Sequence, residues 1–120
     1  MSLKSVAKNL LYRGGGMKIN LVYMTAGSTE EARKIGKTLL TSKLAACVNI
    51  IGNMNSIYIW EGEVKDDEEA ILIAKTTEPL VPALVEKVKS IHSYDCPCIV
   101  SLPVVNGNKA FLNWIVEHVH

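Results

Sequence analysis

Three thiols, three imidazoles and one interrupting lysine are the residues of this 120-residue chain whose types and spacing could do chemistry. Cys47 sits in Ala45-Ala-Cys-Val-Asn49, where a period of two puts Ala45, Cys47 and Asn49 on one face of a strand. A free thiol in such a run reads either as a buried core group or as a ligand for a soft metal. Cys96-Pro97-Cys98 is the second thiol site. In extended chain, residues two apart point the same way, so both sulfurs can approach one ion, and soft thiolates suit copper(I) or zinc. His92 precedes them in His92-Ser93-Tyr94-Asp95, where it is either a C-terminal helix cap, a metal ligand or a proton exchanger. Lys75 interrupts an apolar strand, and a buried ammonium calls for a carboxylate, with Glu61 and Asp95 as candidates. Tyr58 and Trp60 read as packing groups or as a ligand platform. There is no catalytic triad, phosphate-binding loop, dinucleotide fingerprint or zinc-hydrolase motif.

Composition narrows the setting. The length suits one domain, and 48% apolar with 21% charged residues describes an ordinary globule. A net charge of +1 argues against nucleic-acid binding. Three cysteines, an odd number with no secretory segment ahead of them, argue against a disulfide framework and for a reducing compartment. Residues 1–16 carry three basic residues and no acid, and end in Gly14-Gly15-Gly16. This basic extension reads as an ordered tail, a transit segment or an appended leader, with residues 17–120 as the domain. His118-Val119-His120 reads as the end of a helix or an appended tail.

The elements that position these groups follow from hydrophobic period. Residues 18–25 alternate and predict the first strand, broken by Gly27. Ser28-Thr-Glu-Glu31 is a capping-box pattern, and Ala32, Ile35, Gly36, Leu39 and Leu40 predict a helix over residues 29–41. Residues 44–60 then run without a charge, rich in β-branched and aromatic residues. They predict one long bent strand or two in line, and Asn49, Gly52, Asn53 and Asn55 argue against a lipid span. The acidic run at 61–69 reads as a solvated hairpin turn, leading to a strand over residues 70–76 that pairs with residues 56–60. Glu78-Pro79 opens a second helix faced by Leu80, Val81, Leu84, Val85, Val88 and Ile91. Residues 98–102 predict a fourth strand, and Gly107-Asn108 caps a third helix bearing Phe111, Leu112, Ile115 and Val119. The order β-α-β-β-α-β-α predicts an α+β fold, with two helices on one face of a four-stranded antiparallel sheet.

Five segments in order then carry a resemblance over residues 17–119: Lys43-Leu-Ala-Ala-Cys-Val-Asn49, Ser56-Ile-Tyr-Ile-Trp-Glu-Gly62, Ile73-Ala-Lys-Thr76, His92-x-Tyr94-x-x-Pro97 and Leu102-Pro103. Together they resemble CutA, the divalent-cation tolerance family. The resemblance implies a ferredoxin-like sandwich with an extended β-hairpin, assembled as a homotrimer like the PII-type signalling proteins. The cysteine usage and the basic leader lead us to expect a cytoplasmic protein, or an organellar one if residues 1–16 are a transit segment. The resemblance further implies copper or another divalent metal as a non-obligatory partner, and no enzymatic activity. Cys47, His92, Cys96 and Cys98 are the metal candidates. Trp60, Glu61, Lys75, Tyr94 and Asp95 are the candidates for an inter-subunit cleft, in which a PII-like trimer would alternatively hold a small ligand. Where the family usually reads His-Pro-Tyr-Glu-x-Pro-Glu, this chain has His-Ser-Tyr-Asp-Cys-Pro-Cys, a softer donor set.

Overall fold

Capping sets the first helix. In the computed structural model, which describes residues 16–119, the Ser28 hydroxyl accepts the Glu31 N–H at 3.1 Å, and α1 (Thr29–Thr41) has the bounds its sequence predicts. Ala32, Ile35, Gly36 and Leu39 are its buried stripe. Residues 1–15 and His120 lie outside the described residues, so the expectations for the extension have no structural counterpart here.

The sheet has the order β2-β3-β1-β4, with every neighbouring pair antiparallel. Central β1 (Ile19–Ala26) begins one residue later than its alternation suggests. β2 (Cys47–Trp60) is the long uncharged strand, bent by an irregularity between Ile51 and Met54, where Asn53 takes φ 56°. β3 (Glu63–Thr77) takes in most of the acidic run. Two expectations are corrected here. The turn is only Glu61-Gly62, and Ser56 pairs with Asp67 and Trp60 with Glu63, while residues 70–76 pair further back on β2 and with β1. Charged side chains misled the reading, because a strand that leaves the globule needs no apolar alternation to hold its backbone ladder.

A 3-10 turn (Glu78–Leu80) leads into α2 (Val81–Ile91), which buries Leu84 and Val88. Among the described residues β4 (Ile99–Val104) pairs only with β1, and this edge position accommodates Pro103, which cannot donate to a ladder. Asn108 caps α3 (Lys109–Glu117) by accepting the Ala110 N–H at 3.1 Å.

Val22, Met24, Leu72 and Ala74 of the sheet meet Ile35, Leu39, Leu84 and Val88 of α1 and α2 in one apolar core. Each large side chain there contributes roughly 1.5–3 kcal/mol of burial. Gly36 sits at the closest approach: a Cβ there would stand 2.9 Å from Val48 Cγ2, so α1 lies tight on β2. The opposite sheet face carries Leu21, Tyr23, Ile71, Ile73 and Lys75, and α3 covers part of it through Phe111. Beyond the bend, β2 and β3 leave the globule as a two-stranded arm. The described residues extend 52 × 25 × 25 Å, with a radius of gyration of 15.5 Å, against roughly 13 Å for a compact domain of this size.

Candidate functional site

The segment after α2 is tied to the N-terminus of α1 by a closed set of hydrogen bonds. His92 ends the helix, and its side chain is fully buried. Its Nε2 lies 2.8 Å from the Thr25 carbonyl, which can only accept, and its Nδ1 lies 3.0 Å from the Tyr94 N–H, which can only donate. The two contacts select the Nε2–H tautomer and occupy both ring nitrogens. Glu31 completes the tie. Its Oε1 accepts the Gly27 N–H at 2.9 Å and its Oε2 the Ser93 N–H at 2.7 Å, with His92 Nδ1 3.9 Å away. Burial pushes the Glu31 carboxyl up, but the hydrogen bonds from Gly27 and Ser93 outweigh it and, with nearby His92, hold it below its ordinary value. The capping pattern thus marks Glu31 for the helix start, yet its carboxylate also grips a loop 62 residues away.

Tyr94 extends the tie to β3. Its hydroxyl donates to Glu69 Oε2 at 2.7 Å, and its ring lies 4.8 Å from that of His92. Gly27 makes room, since a Cβ there would meet the Tyr94 ring at 3.4–3.5 Å. Burial and then the Glu69 carboxylate push the phenol well above its ordinary value. Beyond Tyr94, Asp95, Cys96 and Cys98 are exposed, and both cysteines are free thiols. Desolvation raises the Cys98 thiol and nearby Glu69 adds to it, against an opposing hydrogen bond with Thr25.

Cys47 and Lys75 lie elsewhere, directly opposite one another at the globule end of the β2–β3 ladder, the end away from the arm. Among the described residues, no carboxylate forms an ion pair with Lys75. Its ammonium donates to Asn49 Oδ1 and to Cys47 Sγ (3.6 Å) and stands 5.7 Å from the centre of the Phe111 ring. Neutral acceptors and an aromatic face replace the ion pair, because this ammonium is only half-buried and keeps part of its hydration.

Trp60 and Glu61 occupy a third place, the tip of the arm. Glu61 and Gly62 both have positive φ (51° and 81°), the signature of a two-residue hairpin turn. Thirteen strand steps separate Trp60 from Cys47, on the order of 40 Å. Within one chain, then, the structure brings together His92 and Tyr94, and Cys47 with Lys75, but not these pairs with each other or with the arm tip. Among the described residues, no three His, Cys, Asp or Glu side chains converge closely enough to hold a metal ion. A cavity of ≈ 250 Å³ beside Met17, Val104, Asn106 and Leu112 contains none of the candidate residues. Sequence reasoning missed Glu69, hidden in the acidic run, and Asn49 as the lysine's partner. Period two had placed Asn49 on the Cys47 face, which was the available signal.

The sequence and the fold are similar to those of known proteins. A family model described as CutA1 divalent ion tolerance protein matches residues 20–118. The divalent-cation tolerance protein CutA of Thermus thermophilus is 47% identical over 98 residues, 82% of this chain and 95% of that protein. Protein CutA 1, chloroplastic, of Oryza sativa subsp. japonica is 43% identical over 79% of this chain, which spans only 54% of the rice protein. The periplasmic divalent cation tolerance protein CutA from Archaeoglobus fulgidus superposes with a TM-score of 0.83 at 44% identity, covering 85% of this chain and 99% of that one. Among the described residues, no helix is long and apolar enough to cross a membrane.

Proposed function

This chain belongs to the CutA1 divalent ion tolerance family, and from that premise we propose that it is a homotrimeric, non-enzymatic protein of divalent-cation tolerance whose cargo is a soft metal ion, copper foremost. The observation that carries the metal reading is the pair of free, exposed thiols on a segment tied down at its start. Thiolates select copper(I) over hard cations. One chain offers this pair without a third converging donor, whereas a closed zinc site takes about four ligands. A two-thiol site therefore fits copper(I) better than zinc. His92, with both nitrogens engaged, serves this site as the clip that positions the loop. Cys47 joins it only if a second copy supplies that thiol.

Assembly rests on the arm. We read the order β-α-β-β-α-β as a ferredoxin-like domain over residues 17–120, with residues 1–16 as an extension. Its arm exposes Ile57, Ile59, Trp60 and Val64, a costly surface for a lone chain. Two further copies covering it would bring Trp60 and Glu61 of one chain toward Lys75, Tyr94 and Asp95 of another, which a single chain keeps apart. His92, read as a possible proton exchanger, and its neighbour Tyr94 are committed to hydrogen bonds, in keeping with a non-enzymatic role. A PII-like trimer holding a small ligand is less favoured, since the matched proteins are named for cation tolerance. We place the protein in the cytoplasm, or in an organelle if residues 1–16 act as a transit segment, as the name of the rice relative suggests.

A copper(I) titration of wild type and of the Cys96→Ser/Cys98→Ser variant tests the metal reading. We expect the variant to lose stoichiometry and affinity; identical curves would remove these thiols from the site. Light scattering tests the assembly. A mass near 13.2 kDa, instead of about three times that, would contradict the trimer.

A further inference from the structure

We infer that Cys96 and Cys98 form a thiol–disulfide exchange site, a dithiol that closes to an intrachain bridge on reaction with a small-molecule disulfide of the glutathione class. Both thiols are free and exposed, and only Pro97 separates them. The span between them is short and held at both ends. On one side the His92 and Tyr94 contacts fix the chain; on the other, Ile99 starts β4 opposite Met24. Pro97 has a restricted φ and no N–H, so no backbone hydrogen bond from that residue is lost when the two sulfurs approach. Cys47 stands apart, opposite Lys75, and does not compete.

The two thiols are not equivalent. Cys98 is tied to β1, its carbonyl accepting the Thr25 N–H at 3.4 Å, and its thiol shares a hydrogen bond with Thr25 near the Glu69 carboxylate. The less encumbered thiol is the one an external disulfide reaches first. As a thiolate, Cys96 attacks one sulfur of the small disulfide. The old sulfur–sulfur bond breaks, a mixed disulfide forms, and the first small thiolate leaves and takes up a proton. Cys98, deprotonated in turn, attacks the Cys96 sulfur and expels the second small thiol. Two protein thiols are oxidised and one disulfide is reduced to two thiols, so two electrons and two protons are accounted for. A bridge across one intervening residue closes a small, exposed ring, the class that reopens readily in excess reduced thiol.

The inference uses the same thiols as the metal reading but requires no metal. If both hold, closure withdraws both soft donors together. The test is run metal-free on the intact chain with glutathione disulfide. Wild type is expected to lose two of its three alkylatable thiols and two hydrogens of intact mass, and to regain both with reduced glutathione. Cys98→Ser is expected to stop at a stable glutathionyl adduct on residue 96. Cys96→Ser is expected to react about tenfold more slowly, and Cys47→Ser to close as wild type does. A wild type that accumulates the adduct without losing two hydrogens overturns the proposal, as does a bridge that includes Cys47 or joins two copies. A Cys96→Ser variant as fast as wild type overturns the assignment of the attacking thiol. The copper titration reads separately, so either result can fail alone.

Discussion

The globule and the arm share two strands, β2 and β3, and obey opposite rules. Where β3 lies under the helices, Leu72 and Ala74 are fully buried, and His92, Glu31 and Tyr94 close a network that leaves no polar atom of theirs seeking a partner. Past the bend at Asn53, Ile57, Ile59 and Val64 are 70%, 74% and 72% exposed, and the paired strands carry acids on both faces. The globule is stable by burial within one chain, while the arm is held locally by its ladder, its turn and the Tyr58–Asp67 contact. A backbone ladder can thus be intramolecular where its side-chain burial is not.

The sharpest way to break this contrast is to shave one side chain from each region. Leu72→Ala is expected to cost roughly 2–5 kcal/mol in denaturant unfolding. Ile57→Ala is expected to leave the fold of one chain intact and to weaken assembly, read as a falling light-scattering mass on dilution. If Ile57→Ala unfolds the isolated chain as readily as Leu72→Ala does, the distinction fails.

Smaller changes map the edge of the globule. Gly36→Ala gains about 1 kcal/mol of helix propensity, but its Cβ would stand 2.9 Å from Val48 Cγ2, and overpacking costs typically 1–3 kcal/mol. A net loss on the order of 1 kcal/mol is expected by thermal or denaturant melts, and stabilisation would show that α1 can lift from β2.

Glu31→Gln tests the tie between α1 and the 92–98 loop. Its folded carboxyl is held below the ordinary value of 4.5, so it stabilises the native state above that pH. The contribution fades as pH falls through the lower folded value. For a carboxylate only partly exposed and held by two backbone N–H groups, the difference at neutral pH is expected at about 1 kcal/mol. It should shrink to nothing in acid; a gap between wild type and variant that is constant with pH would deny the linkage.

The smallest effect separates two tyrosine–carboxylate pairs. Tyr94→Phe, at the globule's margin, is expected to lose about 0.5 kcal/mol, whereas Tyr58→Phe on the arm should show no loss in the isolated chain. Spectrophotometric titration offers a second readout: the tyrosinate signal near pH 10 should be unchanged in Tyr94→Phe, because that phenol ionises well above its ordinary value of 10.0. Loss of signal there would place Tyr94 in water.

Legibility followed the range of the interactions. α1 was readable to the residue because Ser28, Glu31 and a 3.6-residue stripe are all local. A bend in β2 was expected without its place at Asn53, and β4 runs through Pro103 to Val104 where the proline had suggested an end at Leu102. The start of β3 was not readable, because the ladder that makes residues 63–69 a strand is indifferent to their charge. Lys75 invited a carboxylate from general rules, and only the cross-strand register revealed Asn49 and Cys47 as its acceptors.

The sequence by itself determined the alternation of strands and helices, the faces they bury, the family motifs and the unusual Cys-Pro-Cys donor pair. Only the tertiary structure decided which of the candidate donors are free. His92 reads as a ligand in one dimension, but its ring nitrogens are taken by Thr25, 67 residues away, and by the Tyr94 backbone. Availability of a lone pair depends on what the fold places beside it, and those neighbours come from distant parts of the chain.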